Sequence, residues 1–190
     1  RREAIVSDLN TKFIVPGKTL SEISKLLREE DEEAYLVVSQ KHIVFRISGY
    51  YVVSRLLEGD FLDYNAAIPK ISKTTVKINT RSLTDSVERT SLLISDRLRS
   101  PIRLVVTENK VQLSCSTAMG KAHDEVDCEV SGEAVSMGFN NKYLLDALKA
   151  SDCDMVKLEI NGALSPMRMI PMEGDSFLFL VLPVRVKNDD

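Results

Sequence analysis

The chain has 190 residues, 44% of them hydrophobic and 28% charged, with 25 Lys and Arg against 28 Asp and Glu and a formal net charge of −3. No apolar run reaches the length a membrane span needs, and the amino terminus RREAIVSDLN lacks the apolar stretch of a signal peptide, so the composition argues for a soluble globular protein with material for one full domain and part of another. Slight net acidity excludes nucleic-acid binding by bulk basicity; such a role needs basic residues gathered on one surface.

In chain order, FIV (13–15) reads as a short strand, KTLSEISKLL from Lys18 as a helix, and YLVVSQKHIVFRI (35–47) as two β-rich runs broken by a polar turn. A further strand, YYVVSRLL, follows. Periodicity then lapses over 58–75, where an Ile68-Pro69 step precedes a polar run, and a domain boundary is expected there, dividing the chain into 1–67 and 68–190. Beyond it the order recurs: VKI (76–78), a helix over 81–94, the hairpin RLVVTENKVQLSC (103–115) and AHDEVDCEV. It recurs once more as VSMGF (135–139), a helix over 142–150, MVKLEINGALSPMRMI with Asn161-Gly162 as its turn, and the closing strand SFLFLVLPVRV.

Three copies of one unit account for this pattern. Lys18, Arg81 and Lys142 are each followed two positions later by Leu20, Leu83 and Leu144, and two after that by Glu22, Asp85 and Asp146, at separations of 63 and 61 residues. The first two hairpins register without a gap, Leu36 with Leu104, Val38 with Val106, Ile43 with Val111 and Phe45 with Leu113. Two units make a domain, so the first domain is expected to lack its leading half and to expose an apolar helix face and a sheet edge. The fold class is α+β, with helices on one face of antiparallel sheets.

Each helix has two faces. Leu20, Ile23, Leu26 and Leu27 form one apolar stripe and Leu144, Leu145 and Leu148 another, both expected to pack on a sheet. Opposite them, Lys18, Glu22 and Lys25, like Lys142, Asp146 and Lys149, run basic, acidic, basic at i, i+4 and i+7. A single such face is an ordinary solvated one. Repeated at fixed geometry, it presents cations that a phosphate backbone can meet.

Catalysis has little support. His42 is placed in a hairpin turn and His123 in a loop, Cys115 shares the strand phase of Ile47, and no glycine-rich phosphate loop, HExxH sequence or metal-ligand cluster occurs, so no catalytic residue, metal or cofactor is assigned. Cys115, Cys128 and Cys153 read as reduced thiols of a cytoplasmic protein.

The repeats, SRLLEGDFLDY (54–64), GFNNKYLLDALKA (138–150) and LVLPVR (180–185) together resemble the bacterial DNA polymerase sliding clamp, the DNA polymerase III beta subunit, over essentially the whole chain. The resemblance implies a DNA-clamp fold, with 1–67 as the second half of the middle domain and 68–190 as the last domain. It also implies a processivity factor: a homodimeric ring around duplex DNA, helices inside and sheets outside. Lys18 falls where the family has a DNA-facing lysine, and helical phase extends the set to Lys25, Arg28, Arg81, Arg89, Lys142 and Lys149.

A hydrophobic pocket for short linear motifs of polymerase, clamp loader and repair proteins is implied as well. By position it takes Leu62, Ala66 and Ala67, then Asn140 and Tyr143, then Ala163 and Ser165, then Leu180, Val181, Leu182, Pro183, Val184 and Arg185, on the side of the sheet away from the basic helices. Leu62 stands where the family usually has proline and Ala66 where a basic residue is common, which implies a softer, less polar rim; the family's opposing wall falls before Arg1. A peptide-binding module without a DNA role is the competing class.

Overall fold

A computed structural model describes residues 11–28, 34–95 and 100–186, and the chain divides into two units between Asp63 and Tyr64. The first unit holds α1 (Gly17–Leu26), β1 (Tyr35–Val38), β2 (His42–Ile47) and β3 (Tyr50–Arg55), with the strands in the order β1-β2-β3, all antiparallel. Period-two alternation along β2 turns Ile43, Phe45 and Ile47 to one side, where they meet Ile23 of α1 and Leu56 in a small core. Ser48 and Gly49, both at positive φ (47° and 83°), close the β2–β3 hairpin with the backbone hand that matches strand twist.

Two expectations for this unit need correction. FIV does not form a strand among the described residues; it contributes one antiparallel bridge, Ile14 to Leu57. Of the apolar stripe on α1, only Ile23 is buried, while Leu26 is half-buried and Leu20 and Leu27 remain exposed.

The second unit contains β4 (Thr74–Asn79), α2 (Thr80–Ser91), β5 (Ile102–Val106), β6 (Lys110–Thr117) and β7 (Gly120–Gly132), then β8 (Val135–Phe139), α3 (Asn141–Ser151), β9 (Met155–Ile160), β10 (Met167–Pro171), β11 (Phe179–Val181) and β12 (Pro183–Val184). Their order in the sheet is β11-β10-β9-β4-β7-β6-β5-β8-β12. This order has an internal twofold. Each leading strand pairs with the first hairpin strand of the other repeat, β4 with β9 and β8 with β5, and with the trailing strand of its own, β4 with β7 and β8 with β12.

The same equivalence reaches single residues. Asn79 caps α2 by accepting from the Ser82 amide at 2.9 Å, and Asn140 caps α3 by accepting from the Lys142 amide at 3.0 Å. Leu83, Ser86, Val87 and Thr90 are the buried positions of α2 after its first turn; Leu144, Ala147, Leu148 and Ser151, each 61 residues on, are those of α3. Both helices press this face into one core with Val76, Ile78, Leu104, Leu113, Phe139 and Leu158.

The hairpins bear out their predicted register. Leu36 pairs with Phe45 and Val38 with Ile43, as Leu104 pairs with Leu113 and Val106 with Val111. The turns close alike, the Ser39 amide donating to the His42 carbonyl at 2.8 Å and the Thr107 amide to the Lys110 carbonyl at 2.9 Å. The third differs. Asn161-Gly162 is not a two-residue turn but part of a longer connection, 161–166, in which the Ser165 amide donates to the Gly162 carbonyl.

Three other elements differ from expectation. Helix α2 ends at Ser91, short of 94, and His123 lies within β7 rather than in a loop. The closing strand is two strands, because the chain changes partner at Leu182: β11 pairs with β10 and β12 with β8. Continuous β7 makes the same change of partner near Asp127, from β6 to β4.

Candidate functional site

Helices α2 and α3 pack side by side, and their outward faces carry Arg81, Asp85 and Glu88 on one and Lys142, Asp146 and Lys149 on the other. The basic column is therefore incomplete. Where α1 has Lys25 and α3 has Lys149, α2 has Glu88, and Glu88 accepts from Lys149 at 2.7 Å. That hydrogen bond, and then the carboxylate's charge, hold the Lys149 ammonium above its ordinary pKa.

Three other cations in the predicted set are engaged as well. Lys25 pairs with Glu22 at 2.8 Å and Arg81 approaches Asp85 at 4.0 Å. Arg89 lies one position off the column and turns back to the sheet, reaching Asp124 of β7 at 2.7 Å. Partial burial pushes the Asp124 carboxyl up, but hydrogen bonds from Arg89, Ser86 and the Glu125 amide, with the guanidinium's charge, together outweigh it and the net effect is a lowered pKa. Lys18 and Lys142 are exposed and make no ion pair among the described residues, and Arg28 lies exposed just beyond α1.

The pairing of β12 with β8 builds the candidate partner site. Pro183 lies opposite Phe139 and Val184 opposite Gly138, so the carboxyl-terminal strand runs beside the turn that enters α3. Gly138 makes this possible: a Cβ there would lie 2.3 Å from Val186 Cγ2 and 2.6 Å from the Val184 carbonyl oxygen. Asn140, Tyr143, Val184 and Arg185 thereby border one cavity of about 820 Å³, with Ile94, Pro101 and Leu145 as apolar lining. Tyr143 is 62% exposed and displays most of its ring.

The other predicted pocket residues stand as follows. Leu182 is 65% exposed, between β11 and β12, and Leu180 is half-buried opposite Arg168. Val181 is 3% exposed and belongs to the core, since strand alternation turns it away from Leu180 and Leu182; it supports the strand rather than lining a groove. Ala163 and Ser165 lie in the 161–166 connection and do not border the cavity; Ala66 and Ala67 are exposed on a 3-10 turn, Tyr64–Ala67, and Leu62 is exposed in the first unit.

Lys142 and Lys149 border the same cavity as Tyr143 and Arg185, so at this end of α3 the basic face adjoins the cavity. Ile94, Pro101 and Leu145 were missed as lining. Leu145 had a signal, being the one leucine of α3 off the Leu144–Leu148 line, whereas Ile94 and Pro101 reach the site only through tertiary packing.

No group of three or more His, Cys, Asp or Glu among the described residues has metal-binding geometry, and no described helix is long and apolar enough to cross a membrane. Cys115 is buried, its thiol pushed up by burial and donating to the Thr90 carbonyl. That is core packing rather than an activated nucleophile.

Residues 65–185 match the family of the DNA polymerase III beta subunit, C-terminal domain, and residues 3–63 match its central domain. The chain is 34% identical over 178 residues to the beta sliding clamp of Staphylococcus epidermidis, covering 93% of this chain and 47% of that protein. Its fold superposes on the DNA polymerase sliding clamp of Bacillus subtilis with a TM-score of 0.89 at 28% identity, covering 96% of this chain and 49% of that one. A sliding clamp of Bartonella birtlesii bound to griselimycin gives 0.84 at 27%, covering 92% and 47%. The chain belongs to the DNA polymerase III beta subunit family and has its α+β clamp fold. It spans about half the length of the relatives it matches.

Proposed function

We propose that this chain forms the inner wall and the partner-docking face of a ring-shaped sliding clamp, in which the complete protein encircles duplex DNA as a homodimer. The ring acts in the cytoplasm and tethers the replicative polymerase, the clamp loader and repair proteins through their short linear motifs; it carries out no chemistry of its own. Residues 1–67 belong in this reading to the middle domain and 68–190 to the last.

The observation that supports it best is the residue-by-residue equivalence of α2 and α3, which sets Arg81 and Lys142 at the same turn of two neighbouring helices. A repeated wall of exposed cations meets phosphates without reading bases. Engagement of Lys25, Arg81, Arg89 and Lys149 by carboxylates keeps that attraction weak, which suits a surface that must slide. The cavity beside Tyr143 and Arg185 supplies a mixed seat for a peptide, apolar at Ile94, Pro101, Leu145 and Val184 and cationic at Lys142, Lys149 and Arg185.

A peptide-binding module without a DNA role draws on the same ion pairs, which leave the helix face nearly neutral. Loading the complete protein onto nicked circular plasmid separates the two. The clamp reading expects retention on the circle and loss on linearisation; equal behaviour on both forms sinks it.

A further inference from the structure

We propose that the outer face of the β1–β3 sheet, the side turned away from α1, is a docking surface for a short acidic amphipathic helix of a partner protein. Strand pairing sets six side chains there in two rows across the sheet: Val37, Val44 and Val53 in one, Tyr35, Arg46 and Tyr51 in the other. Ile43, Phe45 and Ile47 alternate with them and pack with Ile23 of α1. Val37, Tyr51 and Val53 are 65%, 66% and 64% exposed. The rows thus form an apolar patch on the side that an antiparallel sheet ordinarily gives to polar residues.

The second unit shows that this composition is particular to the first. Hairpin register carries Tyr35, Val37, Val44, Tyr51 and Val53 onto Arg103, Val105, Gln112, His123 and Glu125, of which Val105 alone is apolar. Arg103, His123 and Glu125 stay exposed although both repeats of that unit are present. The reason is that repeats join through strand edges, β4 with β9 and β8 with β5, while the helices pack on the other side of the sheet. Openness of this face is therefore set by the side of the sheet it occupies, not by what adjoins β1.

Charge selects the occupant. The Arg46 guanidinium carbon lies 5.9 Å from the Tyr35 ring centre and 5.6 Å from that of Tyr51, and the two rings hold it over the sheet. Arg46 pairs with no carboxylate among the described residues, whereas Lys110 on the corresponding face of the second unit has Glu125. A second copy of the same face brings another unpaired Arg46, and a nucleic-acid strand makes no use of three valines. A partner with aliphatic side chains for the valine row and a carboxylate for Arg46 satisfies both rows. Strands about 4.8 Å apart make each row about 10 Å long, which two turns of helix cover. The partner helix accordingly lies across the strands, with apolar residues at i, i+3 or i+4 and i+7 on the valines and its acid beside them.

Panning a displayed library of short helical peptides on the complete protein tests this, after depletion on a Val37→Lys, Val53→Lys double variant that removes binders of every other site. Both positions are well exposed, and a melt checks that the variant is folded. Selected peptides are expected to carry the apolar spacing beside an Asp or Glu and to bind Arg46→Glu at least about tenfold more weakly. They should regain affinity for Arg46→Glu when their own acid is replaced by Lys. Arg46→Gln, which removes the charge without reversing it, serves if the glutamate disturbs the sheet. A library that yields nothing after depletion, peptides indifferent to both Arg46 variants, or binding of single-stranded oligothymidylate that Arg46→Glu removes overturns the proposal.

Discussion

Lys149 Nζ lies 2.7 Å from Glu88 Oε1 and ties α3 to α2 across the face they share. The partner is not the one that repetition of α1 and α3 leads one to expect, since Glu88 stands at the turn where those helices carry lysine. One carboxylate thus removes a cation from α2 and occupies one on α3.

Glu88→Gln is expected to tighten DNA association of the complete protein and steepen the dependence of log K on log salt by up to about one phosphate contact. Both side chains are well exposed, so the thermal melt should hardly move. A salt titration by fluorescence anisotropy, beside a melt, checks both. An unchanged slope in a folded variant would show that Lys149 does not face DNA.

The Arg89–Asp124 pair makes a prediction about acid stability. Asp124's folded pKa lies below its ordinary value of 3.8, so the pair's stabilisation is present above that value and is lost as pH falls through the folded pKa. Arg89→Gln should bring the acid limb of the melting curve to higher pH, modestly because Arg89 is largely exposed. Melts taken through the acid range read this out, and superimposable acid limbs would refute it.

Local periodicity and repetition revealed most of the architecture. The hairpin register was legible because alternating side chains fix strand pairing, and the helices because Leu83 and Leu144 begin matching apolar stripes. The unmatched parts depend on neighbours. FIV has β propensity but, among the described residues, makes a single bridge, and Leu182 marks a change of partner that no local pattern encodes. For the site, Tyr143 and Arg185 came from the family resemblance, position by position, and not from a local pattern. The adjacency of Lys149 to that cavity was not legible, because it follows from the packing of α3 against the segments at Ile94 and Pro101.

Gly138→Ala should detach the carboxyl-terminal strand. Its Cβ would collide with the Val184 carbonyl oxygen, a backbone atom that moves only if β12 moves, while Val186 could yield by rotation. Overpacking of this kind costs about 1–3 kcal/mol. Hydrogen exchange should show protection falling at 183–184 while β5 and β6 stay protected; retained protection in β12 would count against the close approach.

Leu182→Asp addresses the partner site. Leu182 is 65% exposed between Val181, which is anchored in the core, and Pro183, which is fixed opposite Phe139, so the backbone around it is held while its side chain is free to meet a ligand. A few buried anchors carry most of the binding free energy of a short peptide, and setting a carboxylate against an apolar anchor costs it several kcal/mol. Peptide binding should be abolished, while the melt stays near wild type because no core contact is lost. DNA retention should persist too, since Leu182 does not belong to the helix face; Tyr143→Ala, beside Lys142, is the variant expected to affect peptide binding with DNA contacts close by. Calorimetric titration of a polymerase-derived peptide into the complete protein decides it, and near wild-type affinity in a folded Leu182→Asp protein would remove the carboxyl-terminal strand from the partner site.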